Sequence, residues 1–360
     1  MNSLSLIRDV DELCRRIRAV HDAIQSEVVA ACESTALESL SAVVAEEGGD
    51  TVFAIDRVSE AVLVDRFAVI AREWPCLLIA EGLGADGRRI LPAGADPSAV
   101  EIAVIVDPID GTRGLMYQKR PAWILTGVAA IAGRDLARDA RRVPRLSDIT
   151  LAVQTEIPLV KQHLADQLWA VAGRGARAER CDRLTGARTP LALRPSSATT
   201  TLQGFGGLAR FFPGAREELS AIDDAVALAL LGPPRAGVAL SFEDQYISSG
   251  GQLYELTVGH DRWIADVRPL VDAALRRRGQ SIGVCSHPYD LCTELIAREA
   301  GVIVTDPLGG AVDAPLDVFT DVAWVGFANA TLRDRIAPLL TEILEKRGLI
   351  TADDRRPSRI

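Results

Sequence analysis

The stretch Asp107-Pro108-Ile109-Asp110-Gly111-Thr112 holds two carboxylates three positions apart, and it directly follows the apolar run Ile102 to Val106. Proline and glycine bend a chain sharply, so both carboxylates and the Ile109 carbonyl are expected to converge on one point. Oxygen donors gathered this way suit hard divalent cations such as magnesium, manganese or calcium. The Gly111-Thr112 step offers backbone amides that can receive an anion. Taken one at a time, Asp, Pro and Gly also read as a solvent turn. A surface turn, however, does not need two acidic groups flanking a Pro-Ile step at the end of an apolar strand.

This hexapeptide matches the Asp-Pro-Ile-Asp-Gly-Thr signature of the inositol monophosphatase family, within the larger lithium-sensitive and fructose-bisphosphatase-like superfamily. Further segments resemble that family in order over roughly residues 1 to 340. Leu78-Ile79-Ala80-Glu81-Gly82 is similar to a strand ending in Glu-Glu, with Glu81 keeping the first glutamate and Gly82 replacing the second. Ala54-Ile55-Asp56-Arg57-Val58-Ser59-Glu60 resembles a segment in which an aspartate precedes a helix; a helix N-cap is the other reading of Asp56. His287-Pro288-Tyr289-Asp290-Leu291, then Glu299-Ala300-Gly301-Val302, resembles the Trp-Asp motif and later Gly-Gly, with tyrosine for tryptophan and Val302 for the second glycine. Asp290 also reads as an N-cap, a role compatible with metal binding. Gly173-Arg174-Gly175-Ala176 and Ser248-Ser249-Gly250 are looser matches, the second to a substrate-side Gly-Ser-Ala segment.

The resemblance implies an α/β fold, the layered α/β/α/β/α sandwich, and a homodimer. It implies two or three Mg2+ ions, with Mn2+ as a substitute. Glu81, Asp107 and the Ile109 carbonyl would hold one ion, and Asp107, Asp110 and Asp290 a second. Such a cluster makes sense as a cradle, because crowded carboxylates repel and partly protonate unless cations neutralise them. Two ions about 4 Å apart clamp the attacking and leaving oxygens of a displacement and activate water. Thr112 would orient that water and Asp56, near a third ion, would take its proton. The amides of Gly111 and Thr112 would hold phosphate oxygens, and Ser248, Ser249 and Gly250 would face the substrate.

The implied partner is a phosphorylated small molecule, an ester of a polyol, sugar or related metabolite, with inositol phosphate as the first candidate. A fructose-1,6-bisphosphatase or a 3′-nucleotide bisphosphate phosphatase on the same scaffold is an alternative. So is a metal-binding relative without catalysis, which the replacement by Gly82 motivates. The basic stretch Arg113 to Arg120 departs from the family's apolar loop, and its cations Arg113, Lys119 and Arg120 read either as a site for a second anionic group or as a basic surface loop. Arg210, Glu243 and Asp244 are further substrate candidates.

Elements must position these groups. Apolar residues at helical spacing predict helices from Ser3 to about Ser34 and from Arg57 to Glu73. The runs Leu77 to Ala80 and Ile102 to Val106 read as strands that each end in a carboxylate. Strands at Trp123 to Ala132, Ile149 to Gln154 and Leu168 to Ala172 point to a largely antiparallel sheet in a lobe spanning 1–200. A second α/β lobe, 201–360, is expected to hold helices at Ala215 to Leu231, Gln252 to Val258 and Leu291 to Ala300. Its strands are expected at Ser281 to Cys285, Val302 to Thr305 and Val322 to Phe327.

Composition narrows the function classes. Forty basic against forty-nine acidic residues leave a net charge of −9, with scattered basic residues, which argues against nucleic acid. No apolar run approaches the roughly 18 residues of a membrane span, so a cytoplasmic protein without membrane association is expected. The six cysteines show no Cys-x-x-Cys pair and the four histidines are isolated, so neither a zinc hydrolase nor a histidine-based nucleophile system is indicated.

Overall fold

A computed structural model describes residues 7–34, 43–47, 50–83, 86–139, 143–277, 279–281 and 283–351, with side chains described in all of these except 43–61. Two helices open the fold, α1 (Val10–Ser34) and α2 (Ala54–Ile70), with a small hairpin of β1 (Val43–Glu47) and β2 (Asp50–Phe53) between them. Residues 3–6 of the expected first helix lie outside the described residues.

The chain then builds eight strands: β3 (Cys76–Ala80), β4 (Arg88–Leu91), β5 (Ile102–Asp110), β6 (Ala122–Ala130), β7 (Ile149–Ile157), β8 (Leu164–Val171), β9 (Ala176–Asp182) and β10 (Arg188–Pro190). They form one sheet in the order β10-β9-β8-β7-β6-β5-β3-β4, in which β3 and β5 pair in parallel and the other neighbours are antiparallel.

Alternation along these strands explains their apolar runs. Leu78, Ala80, Val104 and Val106 pack with Leu13, Ile17 and Phe67 of the first two helices, while Leu77, Ile79, Ala103 and Ile105 belong to the core on the other face. A strand buried on both faces needs apolar residues at every position. That second face meets α5 (Ser249–Thr257) and α7 (Glu294–Glu299), which pack in turn on a four-stranded sheet. This sheet has the order β11-β12-β14-β13, from β11 (Phe205–Leu208), β12 (Asp261–Asp266), β13 (Ile303–Thr305) and β14 (Trp324–Phe327). Beyond it lie α4 (Arg216–Leu231) and α8 (Ala330–Lys346), whose Leu219, Ile222, Leu332 and Ile336 are buried. The layers are therefore α/β/α/β/α. A short helix, α3 (Thr112–Met116), and α6 (Arg268–Arg276) sit at strand ends.

Two local expectations are corrected. Described residues of the segment 281–285 form no strand: the Ser281 hydroxyl donates to Asp272 at 3.1 Å and the Val284 carbonyl accepts from Arg268 at 3.0 Å. Side chains, not a neighbouring strand, bind this stretch. Asp56 lies within α2 rather than ahead of it, so the N-cap reading fails; its side chain lies outside the described residues.

Candidate metal centre and active site

In a regular strand, residues three apart face opposite sides of the sheet. The ladder between β5 and β6 pairs Asp107 with Leu125 but Asp110 with Trp123, so three steps on β5 match two on β6. Pro108-Ile109 thus forms a bulge, a place where a strand tolerates a residue without an N–H donor. The extra residue resets the alternation and turns Asp110 to the same side as Asp107. The Ile109 amide donates to Asp107 Oδ1 at 3.0 Å, fixing the first carboxylate.

The third carboxylate comes from a distant segment. A 3-10 turn, Pro288–Leu291, follows His287, whose amide donates to Asp290 Oδ2 at 2.6 Å. Asp290 is thus the third residue of that turn and not its N-cap. Asp107, Asp110 and Asp290 each bring a carboxylate oxygen within 4.8 Å of the others. Glu81 lies outside that tight group but lines the same cleft, as do Gly82, Ile109, Gly111 and Thr112. The cleft leaves a volume of about 110 Å3.

Assembling these groups is electrostatically expensive. Burial, followed by the charges of Asp110, Asp290 and Glu81, drives Asp107 well above the usual carboxylate range. Burial and then Asp290 lift Asp110 to about 8, against hydrogen bonds from Ser248 and Gly250. Burial lifts Asp290 to about 6, while His287 and Arg268 pull the other way. Arg268 does not neutralise the cluster, because it is bound to Asp266 through Nε at 2.9 Å and Nη2 at 2.6 Å. An all-oxygen donor set, buried and driven toward protonation, fits a divalent cation in chemistry.

Backbone geometry shapes the rest of the cleft. Gly111 has φ +97°, and a Cβ there would meet the Ile247 carbonyl and Ser248 Cβ, each at 3.2 Å. Only glycine reaches this conformation without strain so close to another segment. Thr112 starts α3, and its hydroxyl donates to the Ile109 carbonyl at 2.8 Å.

Ser248 and Gly250, expected on the substrate side, grip Asp110. The Ser248 hydroxyl donates to Asp110 Oδ2 at 2.8 Å and the Gly250 amide to the same oxygen at 2.7 Å. Ser249 and Ser248 both line the cleft. The Gly173 and Gly175 amides instead hold the Glu299 carboxylate, each at 2.7 Å. Arg210 pairs with Asp223 and Glu243, and Arg120 with Asp244, so these candidates bind one another. Of the three cations in the basic stretch, Arg113 lines the cleft.

Several cleft residues carried no signal in the sequence. Phe211, Phe212, Arg268 and Ser286 line the cleft from segments far along the chain, beside Tyr289 of the Asp290 motif. Gln154 is buried on β7 and donates to the Gly250 carbonyl at 2.8 Å while accepting from Thr293 at 3.0 Å. It thereby ties α5 and the Asp290 segment to the first sheet.

No family model matches the chain, and no curated protein matches it in sequence. Solved structures do match it. This is the fold shared by inositol monophosphatases and fructose-1,6-bisphosphatases, as the motifs suggested. The chain is similar to extragenic suppressor protein suhB from Bartonella henselae, at 14% identity and TM-score 0.61, covering 92% of this chain and 99% of that one. It is similar to fructose-1,6-bisphosphatase of Leishmania major in holo form, at 11% identity and TM-score 0.63, over 92% of this chain and 93% of that one. It is also similar to the IMPase of Thermotoga maritima, at 16% identity and TM-score 0.56, over 93% and 99%.

Proposed function

We propose that the chain is a magnesium-dependent phosphomonoesterase acting on the phosphate ester of a small polyol, sugar or related metabolite. The observation that carries this reading is the meeting of Asp107, Asp110 and Asp290 within 4.8 Å in a cleft that also holds Glu81 and Thr112. That the likeness extends to an IMPase and a fructose-1,6-bisphosphatase supports it.

Glu81, Asp107, the Ile109 carbonyl, Asp110 and Asp290 would hold Mg2+, with Mn2+ as a substitute. Bound cations supply Lewis acidity at phosphorus and lower the pKa of water. The chain's own groups position the reactants. The Thr112 hydroxyl donates a hydrogen bond to the Ile109 carbonyl, which leaves its oxygen lone pairs to accept from, and so orient, the attacking water. The amides at Gly111 and Thr112 would hold phosphate oxygens, and Ser248 and Gly250 keep Asp110 from swinging away. Asp56 is assigned as the group that takes the proton of the attacking water, a role that rests on the sequence resemblance. The water oxygen bonds to phosphorus, the ester P–O bond breaks, and the departing alkoxide takes a proton from solvent while Asp56 returns the one it accepted.

Release of inorganic phosphate from inositol 1-phosphate, fructose 1,6-bisphosphate and adenosine 3′,5′-bisphosphate, with Mg2+ or with EDTA, tests this reading. Magnesium-dependent turnover of at least one is expected. Tight metal binding with no turnover of any phosphate ester would favour a non-catalytic relative instead.

A further inference from the structure

Asp107 on β5 stands opposite Leu125 on β6, and Leu125 stands opposite Gln154 on β7. Directly opposed residues of antiparallel neighbours point to the same face, so these three form one row on the face that meets α5 and α7. Gln154 lies two strands, roughly 10 Å, from Asp107. The row nevertheless reaches the supports of the other two carboxylates. Leu125 packs against Gly250, where an added Cβ would come within 2.5 Å of its Cδ2. Gln154 Nε2 donates to the Gly250 carbonyl at 2.8 Å, and the amide of Gly250 holds Asp110 Oδ2 at 2.7 Å. Thr293, three residues after Asp290, donates from its hydroxyl to Gln154 Oε1 at 3.0 Å.

Gln154 is 2% exposed and Thr293 is fully buried, so neither bond competes with water. A carbonyl only accepts, so Gly250 fixes which end of the carboxamide is the donor and leaves the other end to accept from Thr293. One side chain thus uses its donor on the segment that grips Asp110 and its acceptor on the segment that carries Asp290. On that second segment a close contact sets the inner limit: a Cβ at Gly127 on β6 would meet the Cys292 carbonyl at 2.7 Å and Cys292 Cβ at 3.0 Å. The Asp290 segment cannot move closer to the sheet, and Gln154 keeps it from moving away. Mg2+ takes oxygen donors at about 2.0–2.1 Å in a near-ideal octahedron, whereas Ca2+ accepts about 2.3–2.6 Å and more ligands, so the spacing and stiffness of a carboxylate set decide between them.

We propose that Gln154 is a positioning residue that sets the span between Asp110 and Asp290, and through it the site's discrimination of a small divalent cation from a larger one. This rests on the metal-centre reading and adds to it a control on cation size from a residue that holds no ion itself.

The test titrates metal-free wild-type protein, Gln154→Met, Thr293→Val and Thr293→Ser with Mg2+ and with Ca2+ by isothermal calorimetry. Methionine fills nearly the volume of glutamine without either bond, and valine keeps the shape of threonine without its hydroxyl. The ratio of Mg2+ to Ca2+ affinity is expected to fall by about 10-fold in Gln154→Met, because a loosened carboxylate pair opens to the larger ion. Thr293→Val should lower the ratio in the same direction, the double variant should lower it no further than Gln154→Met, and Thr293→Ser should keep the wild-type value. If Gln154→Met does not fold, the two Thr293 variants decide alone. Ile336→Val, buried in α8 beyond the second sheet, reports lost stability by itself: its Tm should drop with the ratio unchanged. A ratio unchanged in Gln154→Met and Thr293→Val, or lowered equally by Ile336→Val, overturns the proposal and leaves the metal-centre reading standing. Wild type that binds neither cation overturns both.

Discussion

Single residues at the cleft do two jobs that pull apart, holding charge and holding shape. Replacing Asp107 with Asn keeps an acceptor for the Ile109 amide but removes one charge from a crowded buried group. Turnover is expected to fall by about 10^3-fold or more. The metal-free variant should melt higher than metal-free wild type, because the cost of burying an ionisable carboxyl among other carboxyls has gone, and the rise in Tm on adding Mg2+ should vanish. Scanning calorimetry with and without Mg2+, beside a phosphate-release assay, checks both parts; parental turnover would remove Asp107 from the site. At Gly250 the constraint is steric. An added Cβ would meet Leu125 Cδ2 at 2.5 Å and Asp110 Oδ2 at 2.9 Å. Gly250→Ala should therefore push Asp110 off its position and lower kcat by about 10- to 100-fold. A far-UV circular dichroism spectrum unchanged from wild type would show that the fold survives.

At the scale of elements, α1 is pinned to the first sheet by a buried polar contact as well as by apolar packing. His21 is fully buried, with Nδ1 2.9 Å from Thr155 Oγ1 on β7 and Nε2 2.8 Å from Thr126 Oγ1 on β6. Burial lowers its pKa to about 3. The unfolded chain therefore binds a proton at His21 that the folded chain refuses, so this group's contribution to stability is lost as pH falls from about 6.5 toward 3. His21→Leu leaves two buried hydroxyls without their imidazole partner and should cost about 2–4 kcal/mol at pH 7. Its loss of stability between pH 6.5 and 4.5 should nevertheless be smaller than that of wild type, as measured by urea unfolding at each pH. Equal losses in the two proteins would show that His21 does not govern this response.

For the whole molecule, the carboxylate cluster acts in the opposite direction. Asp110 at about 8 and Asp290 at about 6 are raised above ordinary aspartate, so the folded state binds protons more tightly than the unfolded one. Without metal, stability from these groups is therefore greatest in acid and falls as pH rises from about 4 toward 8. A divalent cation replaces those protons, so Mg2+ should raise Tm more at pH 8 than at pH 5. At a hundredfold excess over Kd the rise is expected to be about 5 °C at pH 8. Differential scanning fluorimetry at the two pH values settles it; a larger shift at pH 5 would contradict the assignment. Among the described residues, no helix is long and apolar enough to cross a membrane.

The sequence by itself determined the groups whose placement depends on neighbours along the chain. Asp107 and Asp110 could be read because one proline-containing bulge at the end of an apolar strand carries both. The helix at Arg216–Leu231 and the strands at Cys76–Ala80 and Ile102–Asp110 were likewise legible, since each repeats its own apolar period. Other elements escaped for the same reason. Strand β9, Ala-Arg-Ala-Glu-Arg-Cys-Asp, and strand β11, with its two glycines, have no apolar alternation, and pairing with neighbours alone makes them strands. Tertiary structure also decided the cleft wall, where Phe211 and Phe212 join Arg113, which lies about a hundred residues earlier in the chain. Arg268 is buried there because Asp266 pairs with it and the two rings cover it, and no local spacing encodes that contact.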